Sequence, residues 1–193
     1  MPNWCNTNYK FIGNADEIAD LYKKLKELED MPEPLVENGF GKLFLGCVVN
    51  HFGGDWNNIY CRGEIEYMEI CGDSMLQLST MTAWGDMPEV WDFVCTHYPS
   101  ITYYYLAEEG GMCYYVNSDT TGEYFPEMFI IDDCGGETEY VESEEDLFER
   151  IAIHLDYDGK IENFGQLNTL LDKYNKEHPD EGIYYHEFDT PDQ

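Results

Sequence analysis

The chain has 193 residues, 43% apolar and 16% aromatic, with 40 acidic against 10 basic residues and a formal net charge of −30. Disordered chains are poor in aromatics, so this composition is that of a folded protein. So few lysines and arginines argue against a surface that binds nucleic-acid phosphates or anionic lipid.

Between Leu43 and Glu149 there are 22 acidic residues and one basic residue, Arg62. Such a field attracts cations and basic protein surfaces, and it also serves plain solubility. The seven cysteines form no C-x-x-C pair and lie mostly in apolar segments. That pattern implies free thiols and a cytoplasmic setting. No basic-then-apolar leader opens the sequence, and no apolar run nears the ~20 residues of a membrane span.

Trp4–Ile12 reads as a first strand closed by Gly13. Asn14 and Glu17 have capping-box spacing, and Ile18, Leu21, Leu25 and Leu28 form the apolar stripe of the next helix. Lys23, Lys24 and Lys26 lie toward its C-terminal end, where cations suit the dipole. Residues 31–41 hold two prolines and two glycines and read as an irregular crossing; Leu43–Val49 fits a strand or a short helix. A glycine turn around Trp56 leads to a strand over Ile59–Ile70, and Cys71-Gly-Asp-Ser turns it into a mostly buried strand at Met75–Thr82. Asp86 with Glu89 offers another capping box, for a helix with Val90, Phe93, Val94 and His97 on one face and Pro99 as its stop. Ile101–Ala107 and Met112–Val116 read as strands around Glu108-Glu109-Gly110-Gly111, with glycine supplying a positive φ.

This order, β-α-(insert)-β-β-α-β, is the split-βαβ arrangement. The expected fold is therefore α+β: a ferredoxin-like antiparallel sheet over residues 1–117, helices on one face and an inserted loop region at about 31–58. Residues 118–193 read as an acidic extension packed on that core as one unit. In it, strands at Tyr124–Asp132 and Glu137–Val141 form a hairpin. A helix capped by Ser143 carries Leu147, Phe148, Ile151 and Leu155, and a second covers about Asn163–Lys176. The residues from His178 onward read as loosely tied.

Met1-Pro-Asn-Trp-Cys-Asn6, Phe52-Gly-Gly-Asp-Trp-Asn57 and Thr80-Met-Thr-Ala-Trp84 running to Pro88, with Tyr98-Pro99 and Glu108-Glu109-Gly110, resemble the YubB-like family of bacterial, plasmid and phage proteins. The resemblance covers about residues 1–117. It implies a ferredoxin-like domain of unsettled function and a mobile-element background, with Trp4, Asn6, Asp55, Trp56, Trp84 and Pro88 as structural motif residues. The chain departs from the family's W-G-T-K-W turn at Phe52, Gly54 and Asp55.

Chemistry-bearing patterns are few. No G-x-S-x-G elbow, Walker lysine or complete dinucleotide fingerprint occurs, so neither a catalytic residue nor a cofactor is assigned. Cys95 and His97 are two apart on a helix and face different ways. His154-Leu-Asp156-Tyr-Asp158-Gly imitates half an EF-hand loop, but position 12 falls on Gly165, so metal binding at Asp156 and Asp158 is the weaker alternative, as a carboxylate-rich metal-dependent enzyme or module. Tyr103, Tyr105, Tyr114 and Tyr115 resemble a base-stacking sheet, yet have no cation beside them; tyrosine's strand propensity explains them. The expected function is a non-enzymatic interaction protein that binds a basic protein surface, extending to a DNA-mimic inhibitor. The surface expected to do so is Asp132, Asp133, Glu137, Glu139, Glu142, Glu144, Glu145, Asp146 and Glu149.

Overall fold

The computed structural model describes residues 2–133 and 138–191. It divides into two compact units, Met1–Asp119 and Thr120–Gln193. In the first, strands β1 (Trp4–Ile12), β2 (Gly63–Cys71), β3 (Met75–Ala83), β4 (Thr102–Glu109) and β5 (Tyr114–Asn117) form an antiparallel sheet in the order β2-β3-β1-β4-β5. Helices α1 (Ala15–Asp30), α2 (Leu45–His51) and α3 (Pro88–Cys95) complete it, and the fold is α+β. β3 lies between β1 and β2, and β1 between β3 and β4, so one strand separates the two ends of each strand–helix–strand connection.

Strand periodicity decides which face is covered. Cys5, Thr7, Tyr9 and Phe11 of β1 are buried, while Trp4, Asn6 and Asn8 between them are exposed. The buried set shares a core with Ile18, Leu21, Leu25 and Leu28 of α1 and Val90, Trp91 and Val94 of α3. β3 is two-faced rather than mostly buried: Leu76, Leu78, Thr80 and Thr82 point in and alternate residues are half exposed. β2 starts later than its sequence pattern implies, at Gly63, where a side chain would strike the Met81 carbonyl at 2.4 Å.

Several local expectations change for identifiable reasons. Leu43–Val49, compatible with strand or helix, contributes to α2; Phe44 makes a bridge to Glu64 just before that helix. Asp86 does not cap α3, whose first residue is Pro88. Its Oδ1 accepts the Tyr114 hydroxyl instead. His97 lies beyond the end of α3, and the fully buried Trp91 takes the core position. In the β4–β5 turn the positive φ belongs to Cys113 (φ 55). Glu109 closes this turn by accepting from the Gly111 and Met112 amides, both at 2.8 Å.

Asn14 caps α1 by accepting from the Asp16 amide, but Glu17 does not reach back directly. Ser100 Oγ accepts from the Asn14 amide (2.9 Å) and donates to Glu17 (2.7 Å), so the capping box closes through a hydroxyl 83 residues away. No base occupies the last turn of α1. Lys23, Lys24 and Lys26 pair instead with Glu27, Asp20 and Glu29 on the same helix.

In the second unit, β6 (Phe129–Asp133), β7 (Glu139–Val141) and β8 (Ile183–Glu187) form a sheet in the order β7-β6-β8. It shares a core with α4 (Glu144–His154) and α5 (Phe164–Glu177) through Phe129, Ile131, Val141, Leu147, Ile151 and Leu167. The hairpin and both helices agree with the sequence reading, with β6 starting at Phe129. The tail corrects it: residues after His178 supply β8, antiparallel to β6. Asn175 of α5 fastens that strand, bonding both the amide and the carbonyl of Ile183 at 2.9 Å.

Candidate interaction surface

Helix α4 places four of the nine acidic residues singled out by sequence. Ser143 caps it by accepting from the Asp146 amide at 3.2 Å, and Glu144, Glu145 and Asp146 occupy the first turn, where the dipole favours anions. The 3.6-residue repeat divides the rest into three stripes. Leu147 and Ile151 enter the core. Asp146, Arg150 and His154 form a second row. Glu145, Glu149 and Ile153, with Glu144, Phe148 and Ala152 beside them, form the third and line a groove.

The second row is internally paired. Arg150 Nε donates to both Asp146 oxygens at 3.0 Å and its Nη1 to Glu139 Oε2 at 3.0 Å. His154 Nε2 meets Glu139 Oε1 at 2.9 Å, and Nδ1 is 4.0 Å from Asp133. Arg150, and then the His154 bond, hold the Glu139 carboxyl below its usual range against the opposing effect of burial. Asp146 and Glu139 raise the Arg150 guanidinium in turn. Glu139, Asp146 and Asp133, expected on the open surface, are therefore engaged within the fold. Asp132 and Glu142 are exposed and do not line the groove, and Glu137 lies outside the described residues.

The groove has a volume of about 790 Å³ and runs along α4 onto the loop before α5. Its acids are Glu144, Glu145 and Glu149 from the helix and Asp156, Asp158 and Glu162 from the loop, with Lys160 the one base among them. None of these six carboxylates makes an ion pair or side-chain hydrogen bond among the described residues, in contrast to the row beside them. The apolar lining is Phe148, Ala152, Ile153, Tyr157 and Ile161. Ile153, 72% exposed, is the most exposed of the large apolar side chains among the described residues.

The loop owes its shape to a helix stop. Asp156 adopts φ 50; its amide donates to the Ile153 carbonyl (3.1 Å) and the Tyr157 amide to the Ala152 carbonyl (2.9 Å). That bond pair is a Schellman termination, which needs a left-handed residue at the position Asp156 holds. Gln166 braces the remainder of the loop. It accepts from the Glu162 amide (2.9 Å) and donates to the Lys160 carbonyl and the Tyr157 hydroxyl, both at 3.3 Å. The alternate acids that imitate a calcium loop are thus explained by a helix cap and a groove wall. Among the described residues no three histidine, cysteine, aspartate or glutamate side chains gather at metal-ligating separation.

The remaining singled-out residues lie in the first unit. Asp55 accepts from the Asn57 and Asn58 side chains and from the Asn57 backbone; these bonds hold the Trp56 turn, and the Asn57 side-chain and backbone bonds lower the Asp55 pKa. Trp56 is half-buried at one end of an aromatic run through Phe44 and Phe40 to Trp4, with centroids 5.4–6.0 Å apart. Trp4 and Trp84 are not core residues, being 41% and 44% exposed. Trp84 has φ 77, with its amide held by the Asn3 carbonyl at 2.9 Å. Asn6 is exposed on β1.

Tyr103 and Tyr105 pack on Tyr9, and Tyr103 donates to Asp92 of α3 at 2.6 Å. These rings fasten a helix to the sheet. Cys95 is half-buried, its thiol pushed up to about 12 by burial and then by Asp92. The exposed His97 ring packs on Phe93 and Phe52 and makes no catalytic pair with it.

Sequence reading missed Ile153, Phe148 and Tyr157 as groove residues. The available signal was Ile153, an apolar side chain off the Leu147–Ile151 stripe. Comparison with known proteins adds no relative: no protein-family model, curated protein or solved structure matches the chain. No described helix is long and apolar enough to cross a membrane.

Proposed function

We propose that the chain is a non-enzymatic interaction protein that docks a basic protein surface on the acid-rimmed groove of its second unit. One observation carries this reading: among the described residues six groove carboxylates make no ion pair or side-chain hydrogen bond, against one lysine, while Asp146 of the same helix and Glu139 of β7 are paired with Arg150 and His154. A surface acidic only for solubility has no reason to concentrate its free carboxylates around a concave apolar strip. The field of the whole chain, at −30, speeds encounter with a basic partner and disfavours direct binding to nucleic acid. The six described cysteines are free, which supports a reducing, cytoplasmic setting. On the YubB-like reading of residues 1–117 the background is a mobile element. The partner is then a host nucleic-acid-binding protein whose DNA site the groove occupies.

The test is capture from a bacterial lysate by the tagged chain at ~50 mM salt and again at ~500 mM, across which the Debye length shrinks severalfold. A Glu144→Gln/Glu145→Gln/Glu149→Gln variant is compared with Glu33→Gln/Glu37→Gln/Glu66→Gln, which changes the net charge equally at exposed sites in the first unit. The expected result is a basic partner released by salt, lost with the α4 variant, kept by the control and displaced by duplex DNA if the mimic extension holds. No partner, or equal loss in both variants, overturns the proposal.

A further inference from the structure

The groove differs from a bare acidic patch in its lining. Phe148, Ala152, Ile153, Tyr157 and Ile161 contribute to it, and Ile153 is almost three-quarters exposed among carboxylates. A purely polycationic partner would leave that apolar surface in water, or cover it with charged groups that lose hydration on approach. A partner with an apolar side chain between cations meets both features at once.

The walls also limit the partner's backbone. They come from α4 and the loop before α5, with no strand edge among them, so an extended peptide has no row of amides to pair with. The Lys160 carbonyl, a polar backbone group on the loop wall, is already taken by Gln166. A helix satisfies its own backbone and lays one face into such a groove. From Glu144 to Ile153 the wall holds ten residues, whose rises of 1.5 Å between neighbours add to roughly 14 Å. That length matches about two and a half turns of a facing helix. Carboxylates stand on the helix side (Glu145, Glu149) and on the loop side (Asp156, Asp158, Glu162), so its cations belong on both flanks of its apolar stripe.

We infer that the groove receives a basic amphipathic helix of another protein, anchored by an apolar side chain against Ile153 and Phe148 and flanked by lysine or arginine on both sides. This rests on the docking role proposed above and specifies the partner's chemistry.

The probes are two synthetic helical peptides of ~14 residues with equal lysine content. One carries leucine at i, i+3, i+4 and i+7, and the other has glutamine at those positions. Each is titrated calorimetrically into the full chain at ~150 mM salt. The leucine peptide is expected to bind at least ~10-fold tighter. Ile153→Gln, at a site exposed enough to leave folding intact by circular dichroism, should remove most of that preference and leave the glutamine peptide's affinity within ~2-fold. The triple glutamate variant of α4 should weaken both peptides.

Equal affinities, or a leucine preference that survives Ile153→Gln, overturn the anchored-helix inference while leaving charge-based docking to stand on lysate capture. Binding of neither peptide overturns the inference as well. A lysate partner lost with the α4 variant would then show that the docking role holds with a different partner chemistry.

Discussion

Trp91 offers the sharpest energetic test of how the first unit is built. It is fully buried, with its ring 5.4 Å from Tyr9 and 5.1 Å from Phe11, and it joins α3 to β1. Among the described residues its Nε1 makes no hydrogen bond of good geometry, only a weak approach to the Tyr9 hydroxyl, and neither that hydroxyl nor Asp86 Oδ2 has a well-formed partner. The Tyr9 phenol is pushed well above its ordinary range by burial first and by the Asp86 charge second. Trp91→Ala removes the whole ring and should cost about 3–5 kcal/mol. Trp91→Phe loses about 1–2 kcal/mol of apolar burial with the second ring. It also deletes a buried donor without a well-formed bond, a defect that costs about 1–3 kcal/mol where it stands. The two terms offset, so Trp91→Phe should lie within about 1 kcal/mol of wild type. Urea denaturation followed by circular dichroism measures both variants on the first unit's transition. A phenylalanine variant destabilised by ~3 kcal/mol or more would refute the reasoning. It would show that the indole N–H is satisfied in solution, through a buried water shared with Tyr9 and Asp86.

Other consequences concern charge, thiols and turns. The folded Glu139 carboxyl lies below its ordinary 4.5, so its stabilising pairs are complete above that pH and lost as pH falls through the folded value. Acid unfolding of the second unit should therefore be shallower in Glu139→Gln, by less than ~1 kcal/mol because these groups are about a third exposed. Burial, the largest cause for each, pushes Cys5 up to about 11 and Cys95 up to about 12. Mass spectrometry after brief alkylation at pH 8 should find exposed Cys113 modified at least ~100-fold faster than either, and equal rates would contradict their burial. Ser100→Ala opens the relay from Asn14 to Glu17 and should lower the first unit's stability by about 1 kcal/mol; adding Glu17→Gln should then cost less than it does alone, since only the Ser100 amide bond to Glu17 remains to be weakened. Additive losses in that double variant would mean the relay is not one unit.

Legibility in the sequence tracked the range of the force involved. Periodicity and local caps acted within a few residues and were readable: the stripe Ile18–Leu21–Leu25–Leu28, the Ser143 cap, and β1 to within its ends. What failed was settled by partners far along the chain. Glu17 has capping spacing, but Ser100 takes its carboxylate. Asp86 has capping chemistry, but Tyr114, 28 residues on, claims it. The tail from His178 looks untethered until Asn175 and β6 supply its hydrogen bonds.

The candidate surface shows the same limit in its charges. Counting acids treats Glu139, Asp146, Glu145 and Glu149 alike, although a single arginine separates them into two populations. Arg150 lies at i+4 from Asp146, a pairing that spacing alone predicts. Its second bond, to Glu139 on β7, depends on how the helix docks on the hairpin. With Arg150 committed to those two acids, the unpaired carboxylates of α4 lie in the adjacent row, where Ile153 breaks the polar pattern. The candidate surface is legible here as a mismatch between local rules: an apolar residue where the helical repeat calls for a polar one, beside carboxylates with no partner among the described residues. The proposed basic amphipathic partner would meet both at once.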